Sequence, residues 1–222
     1  MKELLIIFGT SEFSEYVFQT IKKEGIVKVI GFTVDKEHLS KNEFNHLPVF
    51  AFEDLPKLID ISSCGILITV GYTKMNQVRK EVYRKCKALG YKVATYISSR
   101  AICDSDSIGE GCLVMPMAYI PPITTLGICS VVNTATILGH TSHIGDFNWF
   151  AGNVVTGGNV RVDNNCFLGM NSLVKNGIHV ASKTMIGAYS YLSEDTMENK
   201  FYSGTPAINV KKLNADVVCD FI

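Results

Sequence analysis

Several features that mark common protein classes are missing from this sequence of 222 residues. Its seven cysteines form no CxxC or CxxH pair, which argues against structural zinc and disulfides and favours reduced, buried thiols. No apolar run approaches the roughly 20 residues of a membrane-spanning helix. The 21 Lys and Arg balance the 21 Asp and Glu, so no net charge favours nucleic acid or an anionic membrane surface.

The N-terminus has a strand-like apolar run and lacks a signal-peptide cleavage region. We therefore expect a cytoplasmic protein that does not insert into membranes. Hydrophobic residues make up 47% of the chain, which is enough for a folded core and excludes a disordered protein.

Charged residues are also scarce in one long stretch. Residues 101–192 contain only Asp104, Asp106, Glu110, Asp146, Arg161, Asp163, Lys175 and Lys183. This change in composition near residue 100 predicts two domains, spanning residues 1–98 and 99–222, the second including a C-terminal tail.

The first domain alternates apolar strands with amphipathic helices. The predicted strands are 4–8, 27–33, 66–70 and 93–97; Ser11 is expected to cap a first helix, and a second is expected over 74–89. Strands that alternate with helices are typical of a parallel sheet with helical crossovers. We therefore expect a small α/β, Rossmann-like domain.

The second domain has a period of six residues. Every sixth residue from Ile102 to Leu192 is apolar, with the single exception of Thr156; small residues recur four positions later, and glycine often follows the apolar position. This pattern predicts a parallel β-helix, in which one side chain per face fills the interior, small residues fit the corners and glycine permits the turns. Thr156 is expected to mark a local change in the coil.

The motifs of both halves resemble those of one family of enzymes. They are the [LIV]-G-x4 hexads, Gly204-Thr205-Pro206-Ala207, Lys211-Lys212, the N-terminal run from Leu4 to Phe13, Gly71-Tyr72 and Asn76. They are similar to those of the sialic-acid O-acetyltransferase and bacillosamine/perosamine N-acetyltransferase family. The resemblance implies a left-handed β-helix and an active homotrimer. It also implies acetyl-CoA in the cleft between neighbouring β-helices, a nucleotide-linked sugar held by the N-terminal domain, and a general-base histidine that corresponds to His140.

An independent geometric argument links His140 to Gly158. Acyl transfer from a thioester needs a base, donors for the oxyanion and two substrates held together. Histidine suits the first task because its side chain is mostly neutral at cellular pH. Gly158 is one 18-residue coil further on, about 4.8 Å away across parallel strands, and has no side chain to block a pantetheine arm. Its N–H is the candidate oxyanion donor, as the resemblance also implies.

Simpler readings of the histidines remain open. His140 is alternatively a polar surface residue at a corner of the β-helix. His143 is interpreted as structural or as a peripheral ligand. A zinc site at His140 and His143 would lack its third and fourth ligands, so we expect no metal.

The resemblance assigns three further residues and reveals three departures. Asn133 corresponds to an asparagine near the acceptor sugar, although it is equally well a polar turn residue, and the backbones of Met170 and Ala188 correspond to positions that line the coenzyme arm. The departures are Thr141 where bacillosamine-type members have a glutamate, Trp149 where they have a second histidine, and Glu12-Phe13 where many relatives have glycine and histidine. With Thr141 in place of the glutamate, Asp146 or a backbone carbonyl is a candidate to orient His140.

A nucleotide-sugar site is expected at the carboxyl ends of the strands in the first domain, where ligands of parallel α/β sheets bind. Gly9, Ser11, Asp35, Gly71 and Tyr72 fall at such ends. Gly9 to Ser11 is alternatively an ordinary strand-to-helix turn. No GxGxxG is present, so a redox dinucleotide is not expected.

The sequence therefore predicts an acetyl-CoA-dependent N-acetyltransferase that acts on a nucleotide-linked amino sugar for a bacterial surface glycan. The alternatives are O-acetylation of sialic acid or another glycan sugar, and a non-catalytic trimeric scaffold. A metal-dependent hydratase is disfavoured, because His140, His143 and His179 lack the required spacing.

Overall fold

The computed structural model describes residues 3–60, 62–210 and 214–219; the Lys211-Lys212 motif lies outside them. The chain forms two compact units. The first runs to Gly71 and resumes over Glu81–Thr95, and the second combines Tyr72–Lys80 with the residues from Tyr96 onwards. The predicted boundary between residues 98 and 99 stays a prediction, but a short segment from the N-terminal half packs with the second unit.

The first unit is built around a six-stranded sheet with strand order β3-β4-β2-β1-β5-β6, and only β3 and β4 pair antiparallel. Its strands are β1 (Leu4–Phe8), β2 (Lys28–Val34), β3 (Glu43–Phe44), β4 (Leu47–Ala51), β5 (Gly65–Ile68) and β6 (Lys92–Val93). The helices are α1 (Glu12–Glu24), α2 (Leu55–Leu58) and α3 (Gln77–Ala88), and α3 starts in the second unit. β1 and β5 are buried at the centre of the sheet, and the parallel strands are connected by crossovers as predicted for a Rossmann-like fold.

Three expectations for this half need correction. The helix predicted from residue 74 begins at Gln77, because Lys74, Met75 and Asn76 all have positive φ (51°, 50° and 62°). The strand predicted over 93–97 is two strands, β6 and one at Tyr96–Ile97 that belongs to the β-helix. The β3–β4 hairpin, closed by two left-handed residues at 45 and 46, was not predicted.

The second unit is a left-handed parallel β-helix of short strands, as the sequence predicts. Its strands are β7 (Tyr96–Ile97), β8 (Ile102–Cys103), β9 (Leu113–Val114), β10 (Tyr119–Ile120), β11 (Thr125–Leu126), β12 (Val131–Val132), β13 (His143–Ile144), β14 (Trp149–Phe150), β15 (Val155–Thr156), β16 (Arg161–Val162), β17 (Phe167–Leu168), β18 (Leu173–Val174), β19 (His179–Val180), β20 (Met185–Ile186), β21 (Tyr191–Leu192), β22 (Phe201–Gly204) and β23 (Ala207–Asn209). A last helix, α4, spans Ala215–Cys219.

The β-helix has three faces, each named here for its outward side chains. The covered face carries Leu113, Val131, Trp149, Phe167, Met185 and Phe201. The apolar face carries Tyr119, Ile137, Val155, Leu173 and Tyr191. The basic face carries Thr125, His143, Arg161 and His179.

The inward side chains form one continuous core, which confirms the six-residue pattern from Ile108 to Leu192. The phase breaks before that point. Ile102 is 59% exposed, and Cys103 pairs with Ile120, so the inward residue of this strand is Cys103 and the spacing to Ile108 is five. The series therefore does not extend to Ile102.

The glycines that follow inward residues have a different role from the predicted one. The left-handed residues lie two positions later, as at Thr141 (φ 59°), Phe147 (55°) and Asn159 (55°), so the turns do not depend on these glycines. At Gly139 a Cβ would overlap the carbonyl oxygen of Gly157. Glycine is needed there because adjacent coils approach closely.

The covered face is buried by two segments distant in sequence. Asn76 Nδ2 donates to the Cys166 carbonyl (3.2 Å) and Asn165 Nδ2 to the Met75 carbonyl (3.2 Å), which fastens the left-handed turn to a coil. Cys219 of α4 donates through Sγ to the Tyr72 carbonyl (3.1 Å). Tyr72–Lys80 and α4 thus complete the unit.

Candidate functional site

His140 lies at the edge between the apolar and basic faces. Its imidazole is exposed, and Nδ1 is 3.2 Å from Oγ1 of Thr141. The hydroxyl of Thr141 therefore contacts the imidazole, at the position for which the family resemblance implies a glutamate. Asp146 does not take this place, because its Oδ1 accepts the N–H of Ile128 (3.0 Å). Of the two candidates that the sequence offered to orient His140, Asp146 or a backbone carbonyl, the structure therefore gives no support to Asp146.

The structure brings Gly158 directly beneath the imidazole. A Cβ built on Gly158 would overlap Nε2 and lie 2.5 Å from Cε1 of His140. The backbone N–H of Gly158 donates to Oδ1 of Asn176 (3.2 Å). Use of this N–H for an oxyanion therefore requires the Asn176 side chain to move aside.

The residues expected to line the coenzyme arm lie at a different edge. Met170 and Ala188 follow β17 and β20, between the covered and apolar faces, whereas His140 lies between the apolar and basic faces. The apolar face separates these two edges. One chain therefore does not bring His140 together with Met170 and Ala188.

A mostly apolar cavity of about 470 Å³ opens beside Met170 and Ala188. It is lined by Tyr72, Trp149, Ala151, Gly152, Phe167, Gly169, Met170, Met185, Gly187, Ala188, Phe201, Ser203 and Val218. A Cβ added at Gly152 would meet only the Thr134 carbonyl oxygen, at 3.7 Å, so the backbone at this edge is accessible. The edge has room for a slender, partly apolar ligand.

Asn133 follows β12 at the same edge as Met170, not at the edge of His140. Its side-chain Nδ2 and its backbone N–H both donate to the Phe150 carbonyl, at 3.0 and 3.1 Å. These bonds agree with its reading as a turn residue, and a role in sugar binding stays a prediction.

Trp149, at the position for which the family resemblance implies a second histidine, is buried on the covered face. Tyr72 packs edge-on against it, with ring centroids 5.2 Å apart, and the Arg79 guanidinium lies over it at 5.5 Å. Burial lowers the pKa of Arg79 to about 10, well above neutral pH. The tryptophan therefore supports a buried cation and does not extend the His140 site.

The residues predicted for a nucleotide site in the first unit have mixed surroundings. The Ser11 hydroxyl accepts the N–H of Ser14 (3.3 Å) as the N-cap of α1, and Lys85 pairs with Asp35 at 2.8 Å. Gly9 has φ 125°, and nothing lies within 4 Å of a Cβ built on Gly71. Gly9 thus permits a tight turn after β1, and the backbone at Gly71 is accessible.

Sequence reasoning missed a small cavity of about 120 Å³ near the carboxyl ends of β1 and β2. Its lining residues are Thr10, Val34, His38, Ser40, Lys41, Phe44 and Val49. Thr10 and the basic pair His38 and Lys41 follow the strand ends closely, which is the signal that would have found them.

The basic face contains a small polar network. Asp163 accepts from Nε2 of His179 (2.9 Å) and from Arg161 (3.0 Å). Burial raises the pKa of Asp163, but these two hydrogen bonds outweigh it, so the pKa lies below its usual 3.8. Thr125 holds Nδ1 of His143 at 3.2 Å, which supports a structural interpretation of His143.

The described residues contain neither a metal-binding cluster nor a membrane-spanning helix. Within residues 3–60, 62–210 and 214–219, no group of three or more His, Cys, Asp or Glu is placed to hold a metal ion. No helix in this part of the chain is long and apolar enough to cross a bilayer.

Residues 4–86 match the family described as the PglD N-terminal domain. Among solved structures, the chain is similar to a point variant of perosamine N-acetyltransferase from Caulobacter crescentus, determined with CoA and GDP-perosamine. The TM-score is 0.83 and the identity 20%, over 92% of this chain and 95% of that one.

It is also similar to the acetyltransferase domain of PglB from Neisseria gonorrhoeae, with a TM-score of 0.83, 22% identity and coverage of 94% and 100%. For WeeI from Acinetobacter baumannii the TM-score is 0.80 and the identity 19%, with coverage of 94% and 100%. The chain thus has a PglD-type N-terminal domain followed by a hexapeptide β-helix. The family resemblance seen in the sequence is confirmed at the level of the fold.

Proposed function

We propose that this protein is an acetyl-CoA-dependent acyltransferase that acetylates a sugar. One observation carries the proposal: the imidazole of His140 lies over the bare backbone of Gly158 at an edge of the β-helix. Attack on a thioester requires a positioned base, and the bare turn at Gly158 leaves space for the acyl group beside it. The fold supports it, since the similar structures from Caulobacter crescentus and Neisseria gonorrhoeae are an N-acetyltransferase and an acetyltransferase domain.

The residues support a direct transfer. We assign the Nδ1 proton of His140 to a hydrogen bond with Thr141 Oγ1, which leaves the lone pair on Nε2. Nε2 takes a proton from the acceptor sugar. At the same time the amine nitrogen or hydroxyl oxygen of that sugar forms a bond to the thioester carbonyl carbon. Collapse of the tetrahedral intermediate breaks the C–S bond, and the CoA sulfur takes up the proton. The Gly158 N–H would stabilise the oxyanion once Asn176 moves aside.

The finer proposal is that the acceptor is the amine of a nucleotide-linked amino sugar for a bacterial surface glycan. The match of residues 4–86 to the PglD N-terminal domain supports it. So does the sugar nucleotide in the similar Caulobacter structure. The nucleotide would bind at the strand ends of the first unit, near Gly9, Ser11, Asp35 and Gly71. Tyr72, which the sequence placed with them, belongs to the second unit and packs against Trp149 and Phe167.

We further propose that the active form is a homotrimer. Ile137 and Leu173 on the apolar face are each 43% exposed, and contiguous exposed apolar surface is typical of association sites. The apolar face is bounded by the His140 edge and by the Met170 edge. If three copies pack these faces around a threefold axis, the His140 edge of one copy meets the Met170 and Ala188 edge of the next.

The coenzyme would therefore lie between copies. The residues present fit its arm: the edge at Gly152, Met170 and Ala188 offers accessible backbone, and the neighbouring cavity is mostly apolar. Backbone amides at this edge would bind the polar groups of pantetheine, while His140 of the adjacent copy performs the proton transfer.

A thiol-release assay tests the function. The purified protein would be mixed with acetyl-CoA and a panel of acceptors: nucleotide-linked 4-amino sugars, free amino sugars and sialic acid. Thiol release with the nucleotide-linked amines alone is the expected result. Release only with hydroxyl acceptors would favour O-acetylation, and no release with any acceptor would contradict the proposal. Sedimentation at micromolar concentration should give a mass of about three chains, and a clean monomer would refute the shared site.

A further inference from the structure

Thr156 is the one polar residue in the inward column between Ile108 and Leu192. It is 3% exposed and pairs with Val174, so it faces the core like its aliphatic neighbours. Its hydroxyl accepts the backbone N–H of Gly139 at 2.9 Å. Gly139 immediately precedes His140 in the chain.

This bond replaces a regular rung of the β-helix. Elsewhere, the N–H that follows an inward residue donates to the inward carbonyl one coil on, as from Gly127 to Ile144 and from Gly145 to Val162, both 2.8 Å. From Gly109 to Lys175, a stretch that the structure describes throughout, this rung is present at every such position except 121 and 139. Residue 121 is a proline and has no N–H. At Gly139 the donor goes to a side chain.

Both exceptions fall on the peptide between Leu138 and Gly139. Pro121 is the residue whose N–H would have met the Leu138 carbonyl, and Thr156 takes the Gly139 N–H. Ile137 accordingly forms only isolated bridges to Tyr119 and Val155, whereas the same face forms strands in the coils before and after, at Tyr119–Ile120 and Val155–Thr156. The ladder is interrupted at the peptide that leads into His140.

Buried hydroxyls hold this interruption in place. Thr124 Oγ1, from the preceding coil, donates to the Gly139 carbonyl at 2.8 Å, while Thr156, from the following coil, accepts the N–H. Contact with Gly157 leaves no room for a Cβ on Gly139. The backbone before His140 is thus fixed from both sides, and the imidazole lies over Gly158.

We propose that Thr156 is a positioning residue for His140: its hydroxyl sets the path of the chain so that the imidazole stays over Gly158. This inference rests on the proposed role of His140 as base. Thr156 does not contact the imidazole and acts only through the Gly139 peptide.

The test compares Thr156→Val, which replaces the hydroxyl with a methyl of similar size, with Thr156→Ser, which keeps it. Because a misplacement of about 1 Å in a catalytic geometry costs about 10²-fold, we expect Thr156→Val to lower kcat by about 10- to 100-fold. The KM for acetyl-CoA should stay within about twofold, since the coenzyme edge is elsewhere. Thr156→Ser should retain most of kcat. Ser130→Ala is the matched control, because Ser130 bonds the Gly145 carbonyl (3.1 Å) away from the His140 loop.

Two further measurements separate positioning from stability. In a His140→Ala background, Thr156→Val should cause no additional loss of residual turnover, because the two residues act through one group. A crystal structure of Thr156→Val should show the imidazole displaced from Gly158, a readout that does not depend on activity. An imidazole unmoved in that structure, or a kcat for Thr156→Val equal to that of Ser130→Ala, would overturn the proposal. Loss of kcat on His140→Ala with full kcat in Thr156→Val would overturn this inference alone, and absence of wild-type turnover with every acceptor would contradict the proposed function instead.

Discussion

Gly158→Ala perturbs the candidate site by a single methyl group. The substituted carbon would overlap Nε2 of His140 and lie 2.5 Å from Cε1, where ordinary contact begins near 3.4 Å. The imidazole must therefore move by about 1 Å, and a displacement of that size costs about 10²-fold in turnover. Gly158 does not have positive φ, so alanine brings no strain of its own.

The fold should tolerate this change. The imidazole is exposed, so it can rotate towards solvent at a rotamer cost of about 0.5–1.5 kcal/mol. Thiol-release kinetics would measure kcat, and a thermal melt would check that the midpoint hardly changes. In a His140→Ala background the methyl has no imidazole to displace, and Gly158→Ala should then cause no further loss. Full turnover in the single variant would refute the reasoning that the imidazole over Gly158 is the reactive arrangement.

Three further expectations concern the histidines, the apolar face and the Asp163 network. His140→Ala should reduce kcat by about 10²- to 10⁴-fold and His143→Ala far less; equal losses would remove the assignment. Leu173→Glu should place a charge on the apolar face and yield monomers by sedimentation, whereas an intact trimer would show that another face associates. Asp163→Asn should lower the melting temperature near neutral pH. Because the lowered pKa stabilises only the ionised fold, that difference should close as pH falls below 3.8; a constant difference would exclude the hydrogen bonds from His179 and Arg161 to the Asp163 carboxylate as its source.

The six-residue period predicted the β-helix because its core admits one side chain per face, and that constraint leaves a direct record in the sequence. The offset at Cys103 escaped it, since cysteine and isoleucine both satisfy an apolar position. The position of Gly158 beneath His140 also followed from coil length alone. These are the features that strict repetition determines.

Features that depend on breaks in repetition could not be read in advance. Thr156 stood out as an exception, but its partner at Gly139 follows from the loss of a ladder rung, which only coordinates reveal. The sequence at Lys74–Asn76 has the local propensity of a helix start. The segment is instead a left-handed turn, because its tertiary hydrogen bonds override that propensity. Thr141 near the imidazole likewise required the observed turn geometry.

The burial of the covered face affects how the protein folds during synthesis and where it can be truncated. Coils of a β-helix contact mainly their neighbours, so coil growth from residue 96 onwards can proceed as the chain leaves the ribosome. Trp149 and Phe167, however, are covered by Tyr72, which is translated long before them. Tyr72 therefore cannot pack until the strands that carry Trp149 and Phe167 have been synthesised. A truncated protein that starts at residue 99 would expose these aromatic side chains to solvent. Expression of the β-helix on its own calls for the segment 72–80 to be carried along.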